Sequence, residues 1–291
     1  MVLVPGGEFA MGSERFYREE RPIHRETVAP FRIDRHAVTN AQFDAFVRST
    51  GYVTVAERPL DPSMYPGALP ELLKPGGLVF QPAAGPIPLD DITRWWAYVP
   101  GASWRTPQGP GSTIDDLADH PVVQVSFEDA ETYAAWRGAR LPTEAEWEYG
   151  ARGGLDGAEF AWGDDPYPDG KQMANSWQGL FPWQNTAEDG FVGTAPVGSF
   201  PANGYDLFDM AGNVWEWTSE WWRDDHRPTK SCCGPSTSMG PGENIPRRVI
   251  KGGSHLCAPN YCLRFRPAAR QPEPIDTATC HLGFRCVTSA E

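Results

Sequence analysis

A chain of 291 residues with a formal charge of −13 and a pI near 4.9 repels phosphate backbones. No basic stripe with interleaved aromatics offsets that repulsion, so nucleic acid is excluded as a partner. Gly (30) and Pro (29) make up about a fifth of the residues against a usual share of roughly 12%, which predicts a loop-rich fold, while twelve Trp, fourteen Phe and nine Tyr exclude disorder throughout.

The first thirty-eight residues alternate short apolar runs with turns, and Thr27–Asp34 reads as a strand. Thr39-Asn40-Ala41-Gln42 forms a capping-box pattern, followed by Phe43, Phe46 and Val47 on one helical face and a Gly51 stop. Residues 52–120 hold Trp95, Trp96 and Trp104 among many prolines and glycines and show no sustained period, which predicts packed loops rather than a linker. Val122–Val125 reads as a short buried strand. Ser126 caps a helix through Ala130, Tyr133, Ala134 and Trp136, and Thr143-Glu144-Ala145-Glu146 opens another through Trp147 and Tyr149, ending before Gly153-Gly154. No repeat and no shift of composition divides the chain, so one domain over residues 1–291 is expected.

The N-terminus shows no basic leader or cleavage site, and no stretch reaches the ~18 apolar residues of a membrane span. A soluble, cytoplasmic protein without a membrane partner is expected. Six cysteines, Cys232, Cys233, Cys257, Cys262, Cys280 and Cys286, would suggest disulfides in a secreted chain. In a reducing compartment, clustered cysteines point instead to metal binding or redox chemistry.

The run from Gly252 to Cys262, Gly-Gly-Ser-His-Leu-Cys-Ala-Pro-Asn-Tyr-Cys, concentrates this chemistry. A free thiol has a pKa near 8.5, yet two thiols aimed at one point can be deprotonated together by a soft cation such as Cu(I). The pair by itself fits a short-loop disulfide or two buried thiols equally well. Other chemistry lacks its residues: there is no Gly-x-Ser-x-Gly elbow, no phosphate-binding Gly-x-x-x-x-Gly-Lys loop and no His-Glu-x-x-His helix.

With Leu263-Arg264-Phe265-Arg266 and Cys280-His281-Leu282-Gly283-Phe284-Arg285-Cys286, this tail resembles the active-site segment of the formylglycine-generating enzymes, in their bacterial form. Further stretches are similar to the same family in the order it uses. They include Arg140-Leu141-Pro142-Thr143-Glu144-Ala145-Glu146-Trp147-Glu148-Tyr149, Asn203-Gly204-Tyr205-Asp206-Leu207 and Gly212-Asn213-Val214-Trp215-Glu216-Trp217. The runs Leu141–Glu148 and Gly212–Trp217 occur across a broader superfamily and argue fold; Cys257 and Cys262 argue function. The resemblance implies an α+β, single loop-rich domain, related to C-type lectins and low in regular secondary structure. It also implies an oxidase that converts the cysteine of a Cys-x-Pro-x-Arg segment in an unfolded sulfatase to Cα-formylglycine, with molecular oxygen and an external reductant. The enzyme is expected to work as a monomer.

By the same resemblance Cys257 and Cys262 hold Cu(I), or, in an older scheme that uses the same two residues, one of them forms a mixed disulfide with substrate. Ser254 and Tyr261 line the active site, and Trp215 and His281 meet the substrate; animal relatives carry Asn where this chain has His281. Arg264 and Arg266 are expected to be structural ion-pair partners. A family Ca²⁺ site would use side chains of Asn175 and Asp189 with carbonyls of Ser176 and Phe191, and a second would use Asp209 and Glu216 with carbonyls of Gly212 and Val214. Two disulfides of animal members are expected to be missing, because Ala134, Ala151 and Pro267 occupy three of the four positions and leave Cys286 unpartnered. Two other readings remain: a non-catalytic lectin-like binding module, and an iron-dependent sulfoxide synthase, whose three-histidine site the scattered His24, His36, His120, His226, His255 and His281 do not suggest.

Overall fold

The computed structural model describes residues 1–224, 226 and 245–290; Cys232 and Cys233 lie outside the described residues. Strands β1 (Val2–Val4), β2 (Gly7–Met11), β3 (His24–Val28) and β4 (Phe31–Ile33) open the chain. Where one strand was expected over 27–34 there are two, because Pro30 has no amide to give to a ladder. β2 pairs with β3 as an antiparallel hairpin, while β4 turns to a different sheet.

Helix α1 (Asn40–Thr50) begins as the capping box requires: the Thr39 side chain accepts from the Gln42 amide, the Gln42 side chain accepts from Thr39, and Gly51 at φ 70° ends it. Within the stretch expected to be loop, β5 (Gly76–Phe80) and β6 (Trp96–Pro100) form an antiparallel pair. The strand expected over 122–125 does not form. Gln124 adopts φ 59°, and the amides of Val122 and Gln124 bond instead to the carbonyls of Val38 and Thr279. Helices α2 (Phe127–Trp136) and α3 (Glu144–Arg152) carry capping boxes at Ser126 and Thr143, and Gly153 closes α3 in the left-handed region.

Strands β7 (Trp215–Trp221), β8 (Arg247–Lys251), β9 (Arg270–Pro274) and β10 (Leu282–Gly283) form a sheet in the order β10-β7-β8-β9, parallel only between β10 and β7. The last strand, β11 (Val287–Ser289), joins β1 and β4 across β4, so both ends of the chain lie in one small antiparallel sheet. Among the described residues no helix is long and apolar enough to cross a membrane.

One aromatic core lies between α1, α2 and the four-stranded sheet, built on Phe43, Phe46, Trp104, Tyr133, Trp217 and Phe284. Each such ring contributes roughly 1.5–3 kcal/mol by burial, plus edge-to-face contacts such as Phe43–Trp104 at 5.2 Å. A second packs Trp147 and Tyr149 of α3 against Phe9, Phe31 and Leu207. With few ladders available, buried ion pairs cross-link distant segments: Glu20–Arg266, Glu144–Arg270, Glu148–Lys251 and Glu216–Arg285.

Candidate active site

Beyond β8, Gly252 and Gly253 take φ values of 93° and 70°. A Cβ on Gly252 would lie 2.8 Å from the Trp147 ring and one on Gly253 would lie 2.6 Å from the Arg264 carbonyl oxygen, so only glycine lets the chain turn here. The following residues coil back on themselves: the Cys257 amide bonds to the Ser254 carbonyl at 2.9 Å and the Cys262 amide to the Ala258 carbonyl at 2.7 Å.

These turns bring the sulfurs of Cys257 and Cys262 to 3.7 Å. That is nearly twice the ~2.05 Å of a disulfide, so both are free thiols. Cys257 is buried, 3% exposed, whereas Cys262 is partly open to solvent. Burial alone would push the Cys257 thiol up, but a hydrogen bond with Cys262, the Ser254 amide at 3.4 Å and the Arg264 charge hold it below the usual thiol range. Cys262, hydrogen-bonded to Cys257 and desolvated, is pushed up. The two thiols share one hydrogen bond and titrate as a pair. Two convergent soft donors fit a monovalent, thiophilic cation such as Cu(I).

Of the expected lining residues, Ser254 is fully buried and its hydroxyl oxygen accepts the Leu256 amide at 3.2 Å. Tyr261 is 37% exposed and stacks on Phe181 at 4.5 Å with Trp95 edge-on at 5.6 Å. Leu256 and Ala258, on either side of Cys257, pack into the same aromatic group as Trp95, Trp177 and Phe181. Trp215 is a core residue, 2% exposed, whose amide bonds to the His281 carbonyl at 2.9 Å. The His281 ring lies 4.8 Å from that of Trp96, and its Nδ1 is 2.9 Å from the Thr279 hydroxyl. Burial lowers its pKa to about 3, so the ring is neutral near pH 7.

The first expected calcium set fits a hard cation. Asn175 is 1% exposed, and its side-chain oxygen is buried without a hydrogen-bond partner, an arrangement that costs free energy unless something supplies positive charge. The Asp189 carboxylate accepts the amides of Ser176 and Phe191 and the side-chain amide of Gln178, which also donates to the Ser176 carbonyl. This loop also touches the thiol pair, since the Trp177 amide donates to the Cys257 carbonyl at 3.0 Å.

The carboxylates of the second set are already engaged by protein partners. Both carboxylate oxygens of Glu216 are bonded to Arg285 at 2.7 Å, and one also accepts from the Trp147 indole at 2.8 Å. Asp209 accepts the Gly198 amide at 2.8 Å. Arg285 already matches the Glu216 charge, so Asp209 is the one uncompensated carboxylate among Asp209, Gly212, Val214 and Glu216.

Sequence patterns did not reveal Tyr17, Glu19, Trp95, Trp96 or Phe181 beside the pair. Arg264 and Arg266 pair with Glu19 and Glu20 as expected. Among the described residues no three His, Cys, Asp or Glu side chains are grouped to hold a metal, which gives a three-histidine iron site no support.

Comparison with known proteins agrees with this geometry. The family described as sulfatase-modifying factor enzyme 1-like domain (FGE-sulfatase) matches residues 1–290. A Mycobacterium tuberculosis protein named formylglycine-generating enzyme is 58% identical over 99% of this chain and 97% of its own. A mouse protein named inactive Cα-formylglycine-generating enzyme 2 is 41% identical over 100% of this chain and 86% of its own, so the family includes members without the activity. The solved structure of PvdO from Pseudomonas aeruginosa superposes with a TM-score of 0.63 at 26% identity, covering 99% of this chain and 93% of that one. The chain belongs to the sulfatase-modifying factor family and is built as one α+β FGE-sulfatase domain.

Proposed function

We propose that this chain is a formylglycine-generating enzyme, which oxidises the cysteine of a Cys-x-Pro-x-Arg segment in an unfolded sulfatase to Cα-formylglycine. It works as a monomer in the cytoplasm, with Cu(I) on Cys257 and Cys262, molecular oxygen as acceptor and an external reductant. The observation that carries the reading is the convergence of two unbridged sulfurs at 3.7 Å, one of them open to solvent.

The electron balance explains the reductant. Converting a CH₂–SH group to an aldehyde with release of sulfide removes two electrons from the carbon. Reducing O₂ to two oxygens at the water level takes four, so two more come from outside. Cu(I) at the pair supplies the oxygen chemistry that side chains lack.

The protein's own residues supply the geometry. Cys257 is fixed in the core; Cys262, partly open to solvent, leaves one side of the pair accessible to a peptide. Tyr261, exposed and backed by the buried Phe181 and Trp95 rings, gives that side an apolar surface, and the neutral His281 ring adds no charge. Ca²⁺ on Asn175 and Asp189, with the carbonyls of Ser176 and Phe191, pins the loop that bonds to Cys257.

Protein loaded with one Cu(I) per chain should convert a Cys-x-Pro-x-Arg peptide to its aldehyde under air with a reductant, and Cys262→Ser should lower the rate at least a hundredfold while remaining folded. No conversion with copper bound would sink the reading in favour of a non-catalytic binding module, the course the inactive relative's name suggests. Adding Ca²⁺ should raise the melting temperature of wild type and not of Asp189→Asn; equal shifts would remove the calcium assignment.

A further inference from the structure

The segment before β3 reaches across the molecule to the loop that carries Cys262. The Tyr17 hydroxyl oxygen accepts the amide of Leu263, 246 residues away, at 3.0 Å. The Arg264 guanidinium lies 3.7 Å over the Tyr17 ring, pairs with Glu19 at 2.6 Å and donates to the Arg270 carbonyl at 2.8 Å. Next to this, Arg266 is gripped by both oxygens of Glu20 at 2.6 and 3.0 Å and covers the Phe16 ring at 3.7 Å.

The two sets of contacts differ. Glu20 and Arg266 are sealed, 0% and 1% exposed, and form a structural clamp. Glu19 and Arg264 are partly open, with side chains 22% and 15% exposed, and act on the residues immediately after Cys262. That stretch has no regular structure to stiffen it: its local bonds are the tight turns from the Arg264 amide to the Cys262 carbonyl and from the Arg266 amide to the Arg264 carbonyl, and the Arg266 Nε bond to the Leu263 carbonyl at 2.8 Å. Cys257 is fixed on both sides, by Ser254 and by the Trp177 amide, whereas Cys262 is held before it by its own amide bond to the Ala258 carbonyl and after it through Leu263 and Arg264. The separation of the sulfurs therefore depends in part on what holds the chain after Cys262.

We propose that Tyr17 and Glu19, acting through Leu263 and Arg264, are positioning residues that hold the Cys262 sulfur against Cys257. This rests on the pair being the reactive centre, and its test needs neither copper nor substrate. In a glutathione buffer the two thiols and oxidised glutathione exchange to give the Cys257–Cys262 disulfide and two molecules of reduced glutathione. The equilibrium constant reports how readily one sulfur meets the other. The linked fraction is measured by mass spectrometry of the peptide pair.

Tyr17→Phe deletes the bond to Leu263 and keeps the ring beneath Arg264; Glu19→Gln removes the partner charge; Glu19→Asp is the conservative rescue. The constant should fall about tenfold in Tyr17→Phe and in Glu19→Gln, in keeping with the loss of one good hydrogen bond. It should recover at least in part in Glu19→Asp and stay unchanged in Glu8→Gln, which breaks only an exposed pair with Arg25. Unchanged constants in Tyr17→Phe and Glu19→Gln overturn the proposal; if Glu19→Gln does not fold, Tyr17→Phe decides. A shifted equilibrium in a protein that converts no peptide would leave the positioning role standing and the proposed activity rejected. Full wild-type conversion with unshifted variants would do the reverse.

Discussion

Gly253 sits where β8 hands the chain to the thiol loop, and one methyl group there meets backbone rather than a yielding side chain. The nearest atoms to a Cβ would be the carbonyl oxygen and carbon of Arg264, at 2.6 and 2.7 Å. Gly51 provides the comparison, for it has the same φ of 70° with open space around it. Gly51→Ala should cost only the left-handed conformation, about 1–2 kcal/mol, and leave peptide conversion intact. Gly253→Ala should cost more in urea denaturation and lower conversion at least tenfold, because relief of the clash displaces Arg264 and with it Cys262. Wild-type turnover in Gly253→Ala would show that the loop does not depend on this approach. The remaining described thiols are chemically quiet. Burial pushes Cys280 up to about 11, and its sulfur accepts the Phe80 amide at 3.3 Å. Cys286 is 0% exposed and is likewise pushed up by burial and by the Asp34 carboxylate.

Elements were legible in the sequence wherever a local rule decides them. Among the described residues all three α-helices start at the residues their capping boxes name, and Gly51 and Gly153 stop two of them, because a cap needs only neighbours within one turn. The β5–β6 pair was not legible. Its partners, Gly76 to Pro100 and Phe80 to Trp96, are separated by a proline-rich loop, and β5 opens with two glycines because a Cβ on Gly77 would strike Gln124. Gln124 itself misled, since its apolar neighbours read as a strand. Its side-chain amide bonds to the carbonyls of Leu78 and Pro107, and its positive φ turns the backbone away from a ladder. The site divides the same way. The cysteines and their glycine turn lie within eleven residues of sequence and were visible, whereas Tyr17 and Glu19 arrive from the other end of the chain by tertiary contact that no spacing records.

At the scale of the whole molecule, buried charge takes the place of regular ladders and makes stability depend on acidity in a definite direction. Burial alone would raise the Glu148 carboxyl, but Lys251 at 2.8 Å and Arg152 at 2.7 Å outweigh it and hold it at about 2, against an unfolded value of 4.5. Glu144, beside Arg270, is also held well below its ordinary value despite its burial. A depressed carboxyl contributes stability that is complete above its unfolded pKa and lost as pH falls toward its folded one, here between about 4.5 and 2, and on the order of 3 kcal/mol for Glu148. Asp129 has the opposite sign. Desolvation raises it to about 6 in spite of bonds from the Ser126 and Val55 amides, so the fold gains from its protonation as pH drops from 7 toward 4. The urea midpoint should therefore hold or rise slightly from pH 7 to 5 and fall steeply below 4.5. Glu148→Gln should be about 3–5 kcal/mol less stable at pH 7, where Lys251 and Arg152 lose a buried partner, and should approach wild type near pH 2, where the native carboxyl is itself protonated. Parallel acid limbs for the two proteins would show that the Glu148 cluster does not govern acid unfolding.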